Sequence, residues 1–184
     1  IIYKLNNLGF QTIMSNSAAF YFDMTDDMDM ENSGLNWSGY VNYIDSWGTE
    51  PLNVFANKVK LQNLDIKESE IKNKVSLMGN ARSNFLGIQS QLWTETAANT
   101  YEFDRMLMPN MIIFSERAWG KKEEWLKEKS VSNQKPLLKK SWNRFANTVG
   151  QRQLPFLSKL NKDLLFDMPK PGAIIENGIL RIRQ

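Results

Sequence analysis

Two short triplets, Tyr21-Phe22-Asp23 and Trp93-Thr94-Glu95, each place an aromatic ring two residues before a carboxylate. Side chains alternate between faces along extended chain, so within each triplet the ring and the acid point the same way. Such a face suits a pyranose, which offers apolar C–H surfaces to an indole or phenol ring and hydroxyl donors to a carboxylate. The competing reading makes Tyr21 and Trp93 core aromatics and the acids capping groups. Spacing alone does not separate the two.

Composition narrows the chemistry from the other side. The 184 residues include no cysteine and no histidine. That removes disulfides, thiolate nucleophiles, zinc-thiolate clusters, Ser-His-Asp triads and imidazole metal ligands from this chain. Carboxylates, Tyr, Lys and Ser remain. The acidic run Asp23, Asp26, Asp27, Asp29, Glu31 lacks the order and central glycine of a calcium loop and reads as a solvated acidic loop. No metal and no cofactor is expected. Glu116-Arg117 reads as a structural ion pair or loop anchor. Of the six tryptophans, Trp47, Trp119, Trp125 and Trp142 are expected in the core.

Net charge is +3 but unevenly spread, with 9 basic and 14 acidic residues in 1–120 against 14 and 6 in 121–184. In the basic part Lys121, Lys122, Lys127, Lys129, Lys139 and Lys140 are interleaved with Glu123, Glu124 and Glu128, the pattern of an exposed helix face rather than a nucleic-acid surface. No apolar run approaches the roughly 20 residues of a membrane span.

The elements that must hold the triplets follow a β/α rhythm. Residues 1–8 read as the last turns of a helix closed by Gly9, as though continued from something longer, and Phe10–Ser15 as a buried strand leading into the first triplet. Residues 16–84 are polar and loop-rich, long enough to signal function. Phe85–Leu92 is the second strand and runs into the second triplet. A helix spans Thr100–Trp119, split or kinked at Pro109 and stopped at Gly120. Another runs from about Pro136 to Val149 with Leu137, Leu138, Trp142, Phe145 and Val149 on one face, and a shorter one covers Pro155–Leu160. Asn177-Gly178 between apolar runs predicts a hairpin.

Specific segments then resemble a known family. Leu86-Gly-Ile-Gln-Ser-Gln-Leu-Trp-Thr-Glu-Thr96, Met108-Pro109 and Phe114-Ser-Glu-Arg-Ala-Trp119 resemble the last barrel strand and helix of glycoside hydrolase family 20, the β-N-acetylhexosaminidases. Phe20-Tyr-Phe-Asp-Met24 resembles the preceding strand end, Asn36-Trp37 the loop on the leaving-group side, and residues 169–178 the tail after the barrel in bacterial chitobiase-like members. The likeness covers nearly the whole chain and is weakest at 55–80.

The resemblance implies an α/β fold: the C-terminal part of a (β/α)8 TIM barrel, its last two strands and helices, over residues 1–150, followed by a post-barrel helix and tail over 151–184. It implies retaining exo-hydrolysis of terminal β-linked N-acetylhexosamine, in which the sugar's own acetamido oxygen attacks the anomeric carbon. The family's Asp-Glu pair, which orients the acetamido group and protonates the leaving oxygen, follows a His-x-Gly-Gly segment absent here. Binding roles are what transfer. Tyr21, the candidate catalytic residue, would donate to the acetamido oxygen; Asp23 and Glu95 would accept from sugar hydroxyls; Trp93 would lie on the ring face and Trp37 on the next sugar. A complete barrel takes about 250 residues, so the remainder is expected upstream. Expected partners are an N-acetylhexosamine-terminated oligosaccharide and that upstream part, in a secreted or periplasmic setting. A sugar-binding piece without catalysis and a basic interaction module built on 121–184 are the rivals.

Overall fold

In a computed structural model the described residues are 1–27, 33–56, 74–128, 130–166, 172–176 and 179–183. The expectations for Asp29 and Glu31, for the turn residues Asn177-Gly178 and for the start of the tail motif at Pro169 lie outside them.

The chain opens with α1 (Ile2–Asn7), which buries Tyr3 and Asn6. Its exit is a left-handed glycine, Gly9 at φ +96°, as the sequence predicts. Asn6 ties this helix to both strands. Its Nδ2 donates to Thr12 Oγ1 at 2.9 Å, and Asn84 Nδ2 donates to the Asn6 carbonyl at 2.8 Å. Thr12 begins β1 (Thr12–Ser15) and Asn84 directly precedes β2 (Phe85–Gln89). The two strands pair in parallel, with Ile13 opposite Gly87, Met14 opposite Ile88 and Ser15 opposite Gln89. Parallel neighbours need a crossover, and residues 16–84 supply it.

The crossover is more structured than a loop. Directly after β1 comes a single helical turn, α2 (Ser17–Phe20), whose N-cap Asn16 accepts from the Ala18 N–H. The chain then rejoins β2, because Phe22 N donates to the Gln91 carbonyl and Gln91 N to the Phe20 carbonyl, at 2.8 and 3.1 Å. Tyr21 therefore bridges to Gln91 in the same parallel sense as Ser15 to Gln89. Six residue steps on one strand match two on the other, and α2 absorbs the excess. Further on, α3 (Tyr43–Trp47) is capped by Asn42, whose Oδ1 accepts from Asp45 N.

Behind the strands lies the helical layer. The expected split at Pro109 occurs: α4 (Thr100–Leu107) and α5 (Asn110–Trp119) are separate helices. Phe114 of α5 meets the edges of Phe20 and Phe22, with centroids 5.4 and 6.3 Å away. The third helix of this layer, α6 (Val131–Thr148), passes through a π-turn at Val149–Gln153 straight into α7 (Leu154–Leu160). The boundary expected near residue 150 falls inside this continuous helical run.

The core joins α3, α5 and α6 through Trp47, Ile113, Trp125, Leu138 and Trp142. Trp47 stacks on Phe145 at 4.1 Å and donates from Nε1 to Ser141 Oγ at 2.8 Å. Three expectations need correction. The helix starts at Val131, not Pro136, because buried Gln134 is anchored by donation from Nε2 to the Ala56 carbonyl at 2.7 Å, which holds the turn before the proline. Leu137 is exposed because Leu138 and Trp142, four residues apart, define the buried stripe and Leu137 is rotated about 100° from it. Trp119 is 82% exposed rather than core. The buried positions of α5 are Ile113 and Arg117, and Trp119 lies about 200° around the helix from Arg117.

At the C-terminal end β3 (Gly172–Glu176) and β4 (Ile179–Arg183) pair antiparallel, with Glu176 opposite Ile179. That pairing is the hairpin the sequence predicts.

Candidate sugar-binding site

Alternation around the Tyr21–Gln91 bridge decides which side chains face the site. Phe20 and Phe22 are buried against Phe114 in the helical layer. Tyr21 consequently belongs to the opposite face, which on the second strand carries Gly87, Gln89 and Gln91, and Asp23 follows in a turn closed by Met24 N donating to the Tyr21 carbonyl at 3.3 Å. On that face Ser15 Oγ donates to Gln91 Oε1 at 2.6 Å, linking the two strands side chain to side chain.

Asp23 is the unusual group. It is 1% exposed, yet among the described residues neither carboxylate oxygen completes a hydrogen bond. Burial pushes its carboxyl above the usual carboxylate range and the Glu95 charge adds to the rise, while the peptide N–H groups of Asp23 and Trp93 pull it back. The Tyr21–Gln91 bridge, two residues before Asp23 on one chain segment and before Trp93 on the other, brings the two triplets alongside. The two peptide N–H groups near Asp23 complete no hydrogen bond to it, an acid buried in that way is costly in the ligand-free fold, and a hydroxylated ligand would supply donors.

Around Asp23 the aromatic groups are open. Trp93 is 54% exposed, Trp37 is 62% exposed and Glu95 is exposed. Tyr21 and Trp37 meet edge to face, with centroids 5.7 Å apart. The loop bearing Trp37 is strapped to the strand end, since Leu35 N donates to the Asp23 carbonyl and Thr25 N to the Leu35 carbonyl, both at 2.8 Å. Gly34 permits this approach. Its φ is +135°, and a Cβ there would lie 2.8 Å from Thr25 N and 2.9 Å from the Asp23 carbonyl oxygen.

All five residues singled out in the sequence thus fall on this part of the molecule: Tyr21 against Trp37, and Asp23 beside Trp93 and Glu95. The sequence reading missed Ser15, Gln91 and Leu35, which fix the geometry. Period-two spacing backwards from Glu95 through Trp93 to Gln91 and Gln89 was the available signal for Gln91. The clefts along β2 and α5, lined among others by Arg82, Arg117, Trp119 and Arg144, include none of the five.

Arg117 is a loop anchor, one of the two roles anticipated. Its guanidinium lies 4.8 Å over the Trp47 ring and donates from Nη1 to the Trp47 carbonyl at 3.1 Å. Burial lowers its pKa, and Glu50, Glu123 and Glu116 offset that. In the basic part, Lys127 pairs with Glu124 at 2.8 Å and Arg144 with Glu123 at 3.1 Å, as interleaved surface charge should.

A parallel strand pair joined by a crossover and backed by a helical layer is a unit of the α/β class. Residues 2–122 match the catalytic domain of glycosyl hydrolase family 20, and the chain belongs to that family. It is 29% identical to the N,N'-diacetylchitobiase of Vibrio harveyi over 97% of this chain and 20% of that protein. It is 26% identical to a beta-hexosaminidase of Vibrio vulnificus over 96% of this chain and 22% of that protein.

Among solved structures, it superposes on the Vibrio harveyi exo beta-N-acetylglucosaminidase in complex with N-acetylglucosamine with a TM-score of 0.57 and 20% identity, over 91% of this chain and 20% of that one. The Streptomyces plicatus N-acetyl-beta-hexosaminidase gives a TM-score of 0.55, over 91% of this chain and 26% of that one. The chain thus spans about a fifth of the length of these relatives, and its fold is part of a TIM-barrel catalytic domain.

Proposed function

We propose that this chain supplies the sugar-binding side of a β-N-acetylhexosaminidase that removes terminal non-reducing N-acetylhexosamine from chitooligosaccharides or glycans. Its two parallel strands are the last two of the barrel in residues 1–150, with 151–184 forming the post-barrel helix and tail. The rest of the barrel, with the Asp-Glu pair that performs acid catalysis and orients the acetamido group, comes from an upstream part of the same protein. The relatives are bacterial proteins, and a secreted or periplasmic setting fits a glycan substrate. No described helix is long and apolar enough to cross a membrane.

The observation that carries this reading is the buried Asp23 carboxylate with two unsatisfied oxygens beside exposed Trp93 and Glu95. Sugar hydroxyls are the donors it lacks, and the indole is the surface a pyranose ring would cover. Glu95 would accept from a further hydroxyl, and Trp37 would lie under the sugar on the leaving side. Tyr21, at the edge of Trp37, would donate to the acetamido oxygen. As that oxygen turns towards the anomeric carbon, the donor holds it in a near-attack geometry. The bond to the leaving sugar then breaks, a cyclised oxazolinium ion forms, and water reopens it with net retention.

The test is hydrolysis of a nitrophenyl N-acetylglucosaminide by the protein with its catalytic domain complete, compared with residues 1–184 expressed alone. Turnover is expected from the first and none from the second, whose strands keep unpaired edges. A cooperative fold and turnover by residues 1–184 alone would overturn the division of roles, and an inert complete protein would overturn the activity.

A further inference from the structure

Trp37 is held from both sides of its loop. Ahead of it is the backbone strap between Leu35 and the Asp23–Thr25 strand end. Behind it, the hydroxyl of Ser38 meets that of Ser17 at 2.7 Å in a part-buried contact spanning 21 residues. Ser17 is the first residue of α2, the turn that delivers Tyr21 to its bridge with Gln91. That turn is fixed in its own right. Asn16 caps it, and Ser46 Oγ donates to the Ala19 carbonyl at 2.8 Å. Between strap and pin the chain makes a tight turn closed by Gly39 N donating to the Asn36 carbonyl at 2.9 Å, with Gly39 at φ +90°. The indole stands on this turn, 62% exposed, and meets the edge of Tyr21.

We infer that the Ser17–Ser38 hydroxyl pair is a positioning device that locks Trp37 at the angle needed to stack on the sugar leaving group, and so sets the preference for oligosaccharide over monosaccharide ligands. The inference rests on the reading of Trp37 as the leaving-side platform. An indole platform gains its contact area only when its plane is parallel to the sugar face. A turn closed by one backbone hydrogen bond leaves that plane free to swing, and the second anchor removes the freedom before the substrate arrives. Preorganisation of this kind lowers the ordering cost of binding without adding a contact to the ligand. Each serine's hydroxyl is engaged by the other in a part-buried contact, so the effect should be confined to ligands that reach the Trp37 platform.

The experiment uses the protein with its catalytic domain complete. Two readouts are taken per folded molecule: kcat/KM for the N-acetylglucosamine disaccharide, and the inhibition constant of free N-acetylglucosamine, which occupies the terminal-sugar site alone. Ser17→Ala and Ser38→Ala should each lower kcat/KM for the disaccharide on the order of threefold to tenfold, the range of one neutral hydrogen bond, and leave the inhibition constant unchanged. The double variant should lose no more than either single one, and Ser38→Ala should cost nothing further in a Trp37→Ala background.

Loss of monosaccharide affinity in step with disaccharide turnover, a Ser38→Ala effect that persists without Trp37, or no effect on the disaccharide would each overturn the positioning role. A Trp37→Ala variant with unchanged disaccharide kinetics would instead overturn the platform reading beneath it, and wild-type protein that does not cleave the disaccharide would overturn the hexosaminidase reading itself.

Discussion

The strand-end face and the helical core use the same residue types for opposite purposes. In the core Trp47, Trp125 and Trp142 are almost fully buried, and Trp47 gains a hydroxyl acceptor, a stacked phenyl ring and a guanidinium over its face. At the strand ends Trp37 and Trp93 are more than half exposed, and the buried polar group, Asp23, has been left without partners. The core is stabilised by packing its rings on one another and gives Trp47 a hydroxyl acceptor, although Trp125 Nε1 and Arg117 Nε are also buried without a hydrogen-bond partner among the described residues. The strand-end face withholds satisfaction, and its unmet hydrogen bonds and uncovered rings are what a ligand would complete. Stability and function are therefore separable here by residue, which substitutions in the complete protein can test.

The largest effect on folding is expected from Trp125→Ala. Trp125 is 0% exposed and sits in the cluster with Trp47, Ile113, Leu138 and Trp142. Emptying that site should cost about 3–5 kcal/mol, read as a lower urea midpoint, whereas Trp93→Ala should leave the midpoint nearly unchanged and weaken binding of a thiazoline analogue of the cyclised intermediate. Equal destabilisation by the two would erase the contrast between the regions.

Glu95→Gln comes next. It preserves shape and replaces a charged acceptor, and a hydrogen bond to a charged group contributes about 1.5–3 kcal/mol. Turnover efficiency should fall on the order of tenfold to a hundredfold at constant thermal stability; a variant that melts earlier yet turns over fully would assign Glu95 to the fold.

Tyr21→Phe removes a donor while keeping the ring against Trp37. Its loss should appear in kcat, on the order of tenfold for one hydrogen bond, more than in KM. An unchanged kcat would return Tyr21 to a packing role.

The smallest and most diagnostic effect is that of Asp23→Asn on ligand-free stability. The folded state raises this carboxyl above its ordinary value of 3.8. As pH rises from below that value, the unfolded chain loses the proton first, so wild-type stability falls from about pH 4 upward and levels off above the raised folded value. Asparagine does not titrate. The variant should therefore gain on wild type across that rise in thermal melts at a series of pH values, while losing affinity for N-acetylglucosamine. A variant that loses stability relative to wild type as pH rises would mean that the Asp23 carboxylate is stabilised by donors in the fold.

Much of the fold is local enough to be read along the chain. The stop at Gly9, the break at Pro109 and the strands at β1 and β2 follow from glycine's left-handed freedom, proline's missing donor and runs of apolar residues. The triplets were readable from residue type and from the family resemblance, but not from extended-chain spacing, because Phe22-Asp23 and Glu95 lie in turns closed by Met24 N to the Tyr21 carbonyl and Ala97 N to the Thr94 carbonyl. Trp119 was misplaced because composition says only that an indole prefers burial, while helix phase relative to Ile113 and Arg117 decides whether it is buried.

By itself the sequence determined the donor inventory, with no thiol and no imidazole, and the pairing of ring with acid at each strand end. Tertiary structure decided everything that depends on residues far apart in the chain. It set Tyr21 opposite Gln91, brought Asp23 beside Glu95, stood Trp37 on Tyr21 and closed Ser17 on Ser38. The physical reason is that a side chain's type is fixed where it is written, whereas its burial and its partners are fixed by what the rest of the chain packs against it. Asp23 shows the difference: an ordinary surface residue by composition, it becomes a buried acceptor with no completed hydrogen bond among the described residues once the second strand's end and the Trp37 loop have assembled beside it.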